Sequence, residues 1–231
     1  HCALQHCRGR VLAKPVTAKL SLPPFRASAM DGYAIQAGKH DQLLTVIGES
    51  LAGHPFQGDI GPEECVRIFT GALVPANAGQ IILQEEVAER EGNQVRFNAH
   101  TPSESYIRPI GNDLKLGSQI ADQGDVLNPF LMGSLSSAGV SSVEVFRRPV
   151  IGVFSSGDEL RDPGVEVKDL LEGQIYDSNR LTVMQLLATM PVEVRDLGRL
   201  ADEANIVSEA LTNSAQVCDA MITSGGVSVG D

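Results

Sequence analysis

The sequence predicts a multi-domain protein that combines a β-rich part with a parallel α/β domain. The chain has 231 residues, more than the roughly 100–200 residues of one ordinary domain. Between residues 43 and 98 apolar side chains tend to alternate, and Gly, Pro and Asn separate the runs, as in short β-strands. After Pro149 continuous apolar runs alternate with helical patterns, which is typical of a parallel sheet covered on both faces.

A hairpin and a helix are marked by local signals in the first part of the chain. The Gly92-Asn93 pair predicts a tight turn between strands at residues 86–90 and 94–98. Further along, the Asn128-Pro129 pair is typical of a helix start, and Gly139 of the residue just after a helix end.

The α/β part is predicted to alternate strands with helices. Strands are expected at residues 150–154, 192–194 and 220–223. Asp177 or Ser178 is expected to cap the first intervening helix, and Asp202 the second. Right-handed crossovers would make the three strands parallel, so residues 155–159 and 223–231 would both follow carboxyl ends of strands. These two polar segments are therefore expected to line one crevice.

Charge and composition argue against several classes of partner. The chain carries 18 Lys and Arg against 29 Asp and Glu, a formal net charge of −11 with the carboxylates spread along the sequence. Nucleic acid and anionic membranes are therefore poor partners. There is no run of about 20 apolar residues and no signal peptide pattern. The four cysteines form no CxxC pair, which fits a reducing compartment, so we predict a cytoplasmic protein.

Three chemistries remain open for the crevice. Residues 226–230 match the GxSxG pattern of a serine hydrolase, with Ser228 as nucleophile. All five histidines precede Ser228, however, whereas the histidine of that fold follows the serine. In another interpretation the chain is an interaction scaffold and the crevice is vestigial.

The remaining interpretation is an anion-binding site with a cation held by carboxylates, here called the anion cradle. Ser224, Gly225, Gly226 and Ser228 offer N–H and hydroxyl donors, and Asp158, Glu159 and Asp177 offer hard oxygen ligands. Each of these residues alone also suits a turn or a helix cap. Their convergence favours the anion cradle.

Six motifs occur in order along the chain. They are SAMDGYA at residues 28–34, RIFTGA with Val74-Pro75 at residues 67–75, Arg108 through Gly111-Asn112-Asp113, SSGDEL at residues 155–160, QIYDSNR at residues 174–180, and TSGGVSVG at residues 223–230. This ordered set resembles the molybdopterin molybdenumtransferase family, the MoeA-type enzymes related to the gephyrin E domain. The SAMDGYA segment and the β-rich insert separate this family from molybdopterin adenylyltransferases, which share the shorter Ser-Gly motifs.

The resemblance implies a cytoplasmic transferase of molybdenum cofactor biosynthesis. It would insert molybdate into adenylylated molybdopterin and release AMP with Mg²⁺ present. The implied partners are a second copy of the chain in a homodimer, a molybdopterin adenylyltransferase, and apo-molybdoenzymes or their chaperones. A gephyrin-type scaffold and an adenylyltransferase-like enzyme stay as alternatives, and the serine hydrolase as a remote one.

The resemblance also implies site residues. The family's functional acids and threonine match Asp31, Thr70, Asp113, Glu159 and Asp202. Asp158 and Glu159 are expected to hold Mg²⁺. Residues expected to bind the pterin cofactor or its phosphates are Ser156, Gly157, Asp158, Asp177, Ser178, Asn179, Ser224, Gly225, Gly226 and Ser228.

The resemblance further implies three regions. Residues 1–42 and 99–147 would form an elongated N-terminal linking and dimerisation region. Residues 43–98 would form an inserted β-rich domain, and residues 148–231 a parallel α/β molybdopterin-binding domain that is truncated at its C-terminus. We therefore expect a fragment that is inactive alone.

Overall fold

The computed structural model describes residues 1–39, 42–98 and 105–225. Its helices are α1 (Pro129–Ser137), α2 (Asn179–Ala188) and α3 (Ala204–Ser214), and none in the described ranges is long and apolar enough to cross a membrane. Single 3-10 turns cover Leu4–His6, Gln84–Glu86 and Val167–Asp169. The strands are β1 (Cys2–Ala3), β2 (Val16–Thr17), β3 (Ala27–Ser28), β4 (Gly32–Ile35), β5 (Leu43–Ser50), β6 (Glu64–Ile68), β7 (Gln80–Leu83), β8 (Val87–Glu91), β9 (Gln94–Phe97), β10 (Ile107–Arg108), β11 (Gln119–Ala121), β12 (Ser142–Val143), β13 (Val150–Ser156), β14 (Leu160–Arg161), β15 (Ile175–Tyr176), β16 (Glu193–Leu200) and β17 (Ala220–Ser224).

The chain folds into two compact units. The first, here called the α/β unit, comprises His1–Lys14, Asp122–Pro129 and Ser142–Asp231. The second, here called the β-rich unit, comprises Pro15–Ala121 and Phe130–Ser141. The division into three regions that the resemblance implies stays a prediction.

The β-rich unit is organised around a six-stranded mixed sheet with the order β7-β4-β6-β5-β9-β8. Strands β5 and β6 are parallel, and the other neighbours are antiparallel. β4 precedes residues 43–98, the predicted β-rich segment, yet it pairs with both β6 and β7 near one edge of the sheet. All four residues of β4 are buried, because other parts of the unit cover both faces of the sheet at this strand.

Both faces of this sheet carry apolar side chains. Successive side chains of a strand point to opposite faces, and in β4 Ala34 packs in one core while Tyr33 and Ile35 pack in the other. The first core also contains Ile60, Val66, Ile68, Ala72, Val74, Ala78 and Ile81, and the second Leu44, Cys65, Ile82, Val95 and Phe97. Strands covered on both faces therefore carry consecutive buried residues, as in β4, and alternation is found where one face is exposed, as in β9.

The predicted hairpin and helix are both confirmed. β8 and β9 pair antiparallel around Gly92, whose φ is +58°. α1 begins at Pro129, and Gly139 follows its end with φ +80°. The N–H of Gly139 donates to Ser136 and that of Val140 to Leu135, the two hydrogen bonds of a Schellman C-cap.

The α/β unit contains a parallel sheet with the order β16-β13-β17, which confirms the predicted parallel arrangement. The first two predicted strands continue further than expected, to Ser156 and Leu200. Val153 and Phe154 are buried in the central strand, as the continuous apolar run requires. Gly152 lies so close to β16 and its surroundings that an added Cβ would stand 2.5 Å from Leu197 Cδ1 and 3.0 Å from Cys218 Sγ.

The helix caps differ in part from prediction. α2 follows Ser178, which makes no side-chain cap, but Asp177 Oδ1 accepts the N–H of Arg180 at 3.1 Å, so Asp177 performs the capping. The prediction that Asp202 caps α3 is wrong. That helix begins at Ala204, one residue later than such a cap requires, and its N-cap position is Glu203, without a side-chain cap.

Candidate functional site

The two polar segments of the α/β unit meet at one edge of the parallel sheet. β13 ends in Ser155 and Ser156, which are both buried. β17 runs beside it in parallel register, with Ser155 opposite Ser224. The structure thus brings together the ends of two strands that the sequence separates by more than sixty residues.

A cavity of about 160 Å³ opens at this edge. Predicted site residues that line it are Ser156, Glu159, Asp177, Ser178, Asn179, Ser224 and Gly225. Sequence reasoning missed three further lining residues, Leu160, Ile175 and Tyr176, which add an apolar wall. All three lie in motifs already noted, but only the pairing of β14 with β15 places them beside the serines.

Two glycines shape this edge. Gly225 has φ +108°, and a Cβ there would lie 2.3 Å from the carbonyl oxygen of Ser156. Gly157 has φ +149°, and a Cβ there would lie 2.6 Å from a carboxylate oxygen of Glu159. Both positions therefore require glycine. Gly157 is not among the cavity-lining residues, but it lets the Glu159 carboxylate fold back toward the end of β13.

Asp177 is a buried carboxylate with internal partners on both oxygens. Oδ2 accepts the Ser155 hydroxyl at 2.5 Å and Arg180 Nε at 3.0 Å, while Oδ1 accepts the backbone N–H of Arg180. Burial opposes ionisation, but the hydrogen bonds from Ser155 and Arg180 outweigh it and lower the pKa of Asp177. Asp177 therefore stands in the cavity wall as a carboxylate held by its neighbours.

Of the two residues predicted to hold Mg²⁺, the structure places only Glu159 in the cavity wall. The Asp158 side chain is exposed, and its backbone carbonyl accepts Arg161 Nη1 at 2.9 Å. Across the described ranges no three His, Cys, Asp or Glu side chains form a group that could hold a metal ion. A cation at Glu159 would need further oxygen ligands from hydroxyls, water or a bound phosphate.

The remaining predicted residues of this part lie elsewhere. Asp202 is exposed ahead of α3 and is not among the residues that line the cavity. Gly226 and Ser228 lie outside the described residues. The serine of the hydrolase interpretation therefore has no described position.

Asp31 and Thr70 form a tight pair in the β-rich unit. Asp31 Oδ1 accepts both the backbone N–H and the hydroxyl of Thr70, each at 2.7 Å. These two hydrogen bonds lower the pKa of Asp31, and the bond from the hydroxyl has the larger effect. The nearby positive charge of Arg67 lowers the pKa further. Arg67 also donates to the carbonyl of Gly32 at 2.9 Å and lies against the ring of Tyr33. Asp31 is thus presented as a fixed carboxylate.

Asp113 is held in a comparable way. It forms an ion pair with Arg108 and accepts Asn112 Nδ2 at 3.0 Å, and these bonds lower its pKa. β10, which contains Arg108, pairs with β3 at Ser28, and Gly71 donates its N–H to the carbonyl of Ser28. Backbone hydrogen bonds therefore bring the segments near residues 28, 71 and 108 together.

Comparison with known protein families decides the affiliation. The MoeA N-terminal region (domain I and II) matches residues 1–139, and a probable molybdopterin binding domain matches residues 152–231. The chain belongs to the MoeA family. The cavity of the α/β unit falls within the match to the probable molybdopterin binding domain, and Asp31, Thr70 and Asp113 fall within the match to the MoeA N-terminal region.

Similar proteins carry names consistent with this family. A molybdopterin molybdenumtransferase of Haemophilus influenzae is 40% identical over 99% of this chain, and a gephyrin of Dictyostelium discoideum is 29% identical over 96%. A solved molybdopterin biosynthesis MoeA protein of Pyrococcus horikoshii OT3 superposes with a TM-score of 0.85, 31% identity and 97% coverage of this chain. The chain covers 56% of the Haemophilus protein, 34% of the Dictyostelium gephyrin and 61% of the Pyrococcus protein. It therefore spans about half the length of the molybdopterin molybdenumtransferases it matches.

Proposed function

We propose that the protein is a molybdenumtransferase of molybdenum cofactor biosynthesis. It would bind adenylylated molybdopterin, insert molybdate at the dithiolene and release AMP with the help of Mg²⁺. The observation that carries this proposal is the cavity at the ends of β13 and β17, where serine hydroxyls, a helix start and the carboxylates of Glu159 and Asp177 meet. Such a combination suits a phosphorylated ligand.

The anionic part of the substrate would lie against the donors of this cavity. Ser156 and Ser224 supply hydroxyl groups from two adjacent strands. Ser178 and Asn179 lie at the start of α2, a helix of 10 residues whose first N–H groups carry partial positive charge. Because Asp177 keeps both oxygens on internal donors, it would orient these groups and not ligate the substrate directly.

Glu159 gives the same cavity a negative group. A carboxylate beside an anionic ligand is favourable only when a cation lies between them. Mg²⁺ commonly uses one or two protein carboxylates and completes its shell with water and substrate phosphates. Glu159, with the hydroxyls of Ser156 or Ser224, fits that requirement. When bound there, Mg²⁺ would neutralise charge on the pyrophosphate.

Cleavage of the adenylate anhydride places few covalent demands on the protein. In the proposed reaction, water or a molybdate oxygen would attack the phosphorus of the pterin phosphate, and the bond from that phosphorus to the bridging oxygen would break to release AMP. Such a step depends mainly on positioning and charge neutralisation. The serines and the helix start would hold the phosphate, and Glu159 would place the cation. Leu160 and Ile175 would exclude water from the apolar side of the cavity.

The carboxylates of the β-rich unit would also take part in the reaction. Asp31 and Asp113 both have lowered pKa values, so they would act as fixed negative groups or ligands and not as proton donors. We further propose that the protein works as a homodimer. It would receive its substrate from a molybdopterin adenylyltransferase and pass its product to apo-molybdoenzymes or their chaperones.

Single-turnover release of AMP from adenylylated molybdopterin by the full-length protein tests the proposed function. We expect Glu159→Gln to abolish AMP release at Mg²⁺ concentrations that saturate the wild type. Glu166→Gln is the matched control, because Glu166 is exposed and pairs only with Lys168 at 2.7 Å among the described ion pairs. Unchanged AMP release by the Glu159 variant would overturn the assignment of the cation site. A wild-type protein that neither binds molybdopterin nor releases AMP would overturn the function.

A further inference from the structure

Arg180 is the most heavily paired side chain beside the cavity. It belongs to the first turn of α2, and its side chain is only 11% exposed. Each guanidinium nitrogen meets a different carboxylate: Nε contacts Asp177 at 3.0 Å, Nη1 contacts Asp196 at 2.6 Å, and Nη2 contacts Asp162. A planar fork with fixed donor directions suits such a triple contact, whereas a lysine ammonium does not.

The three carboxylates belong to three different segments. Asp177 stands in the cavity wall between β15 and α2. Asp196 lies on β16, where its Oδ1 also accepts the N–H of Gly198 at 2.8 Å. Asp162 follows directly after β14, the strand that contributes Leu160 to the cavity wall. One guanidinium therefore connects the helix start, a sheet strand and the β14 segment.

The contact with Asp177 extends to the end of β13 beside the cavity. Asp177 Oδ2 receives both Arg180 Nε and the hydroxyl of Ser155, which precedes the cavity residue Ser156. Arg180 itself is not among the cavity-lining residues but borders a neighbouring space of about 130 Å³. It can influence a ligand only through the groups that it holds.

We infer that Arg180 is a positioning residue for the ligand of this cavity. Through Asp177 it fixes the serine end of β13, and through Asp162 it fixes the wall formed by β14 and β15. The inference deepens the proposed function and rests on it, because the ligand is taken to be molybdopterin. A purely structural arginine would stabilise the fold without altering ligand affinity in folded protein.

Two variants separate these roles. Arg180→Lys keeps the positive charge but cannot serve three carboxylates at once. Asp162→Asn removes only the ion pair between Arg180 and Asp162, whose side chain is 62% exposed. The buried contact of Arg180 with Asp177 stays in place. Arg195→Lys is the matched control, because Arg195 lies on the same strand as Asp196 but pairs with Glu193 at 3.4 Å.

The experiment is a titration of each purified variant of the full-length protein with molybdopterin, followed by pterin fluorescence, together with a thermal unfolding curve. Loss of charge-assisted hydrogen bonds is expected to raise the Kd of Arg180→Lys about tenfold. For Asp162→Asn, which removes one exposed ion pair, the expected rise is roughly twofold to fivefold, with only a small fall in Tm. Arg195→Lys should match the wild type.

The outcomes distinguish this inference from the function it rests on. If wild type binds molybdopterin and folded Arg180→Lys binds it equally well, the positioning role is overturned while the proposed function stands. If Arg180→Lys has no unfolding transition, Asp162→Asn decides, and an unchanged Kd there overturns the role. If the wild type itself binds no molybdopterin, the proposed function fails, and this inference fails with it.

Discussion

Gly225 approaches Ser156 so closely that no side chain fits between them. A Cβ on Gly225 would stand 2.3 Å from the carbonyl oxygen of Ser156 and 3.0 Å from its hydroxyl oxygen. Ser224 lies opposite Ser155 in the parallel register, so this contact sets the distance between the two strand ends. The spacing of the Ser156 and Ser224 hydroxyls therefore depends on the absence of a side chain at Gly225.

Replacement of Gly225 by alanine should therefore weaken ligand binding. The new methyl group must push the ends of β13 and β17 apart, and backbone strain of this kind costs about 1–3 kcal/mol. We expect the Kd for molybdopterin to rise by about tenfold or more. Gly173→Ala is the control, because Gly173 has φ +87° but open space around its Cβ position. Equal effects of the two substitutions would show that the clash with Ser156 is unimportant.

Removal of the Thr70 hydroxyl should raise the pKa of Asp31. That hydroxyl donates to Asp31 Oδ1 at 2.7 Å and is the largest cause of the lowered pKa. Thr70→Val deletes it at nearly constant volume and keeps the backbone N–H, so part of the lowering should persist. A carboxyl titration followed by NMR measures the change. Thr212→Val is the control, because it removes a hydroxyl that donates to the carbonyl of Ser208 in α3. This substitution should leave the pKa of Asp31 unchanged.

Much of the fold could be predicted because its signals are local. Gly92 requires a turn geometry that few other residues tolerate, and Pro129 and Gly139 mark the two ends of α1 in the same way. The parallel sheet followed from runs of apolar residues alternating with helical patterns. Asp202 shows the limit of such signals, because several polar residues precede α3 and the sequence does not say which one stands at the cap.

The candidate site was predictable only in part, for reasons of long-range pairing. Ser156 and Ser224 could be placed together because parallel strands end at one edge. Ile175 could not, since its place in the cavity depends on the pairing of β15 with β14. Asp177 was expected to contact the ligand, but a sequence does not reveal that Ser155 and Arg180 occupy its oxygens.

Asp177 should make the stability of the protein sensitive to acid. Its folded-state pKa lies below the value of about 3.9 expected in the unfolded chain. The carboxylate therefore stabilises the fold at neutral pH, and this contribution is lost as the pH falls below about 4. We expect Asp177→Asn to be clearly less stable than wild type near pH 6 and the difference to shrink near pH 3, as measured by urea unfolding. A difference that stays constant over this range would contradict the role assigned to the Asp177 charge.

Gly152 in the central strand should tolerate no side chain, because Leu197 and Cys218 fill the space beside it. An added Cβ would lie 2.5 Å from Leu197 Cδ1 and 3.0 Å from Cys218 Sγ. Overpacking of this kind usually costs about 1–3 kcal/mol of unfolding free energy, so Gly152→Ala should be destabilised by about that amount. Adding Leu197→Ala should relieve the clash, and the loss in the double variant should then be smaller than the sum of the two single losses. Gly164→Ala, where a Cβ would meet open space, serves as the control. Strict additivity in denaturant unfolding would mean that the sheet accommodates the methyl group without contact to Leu197.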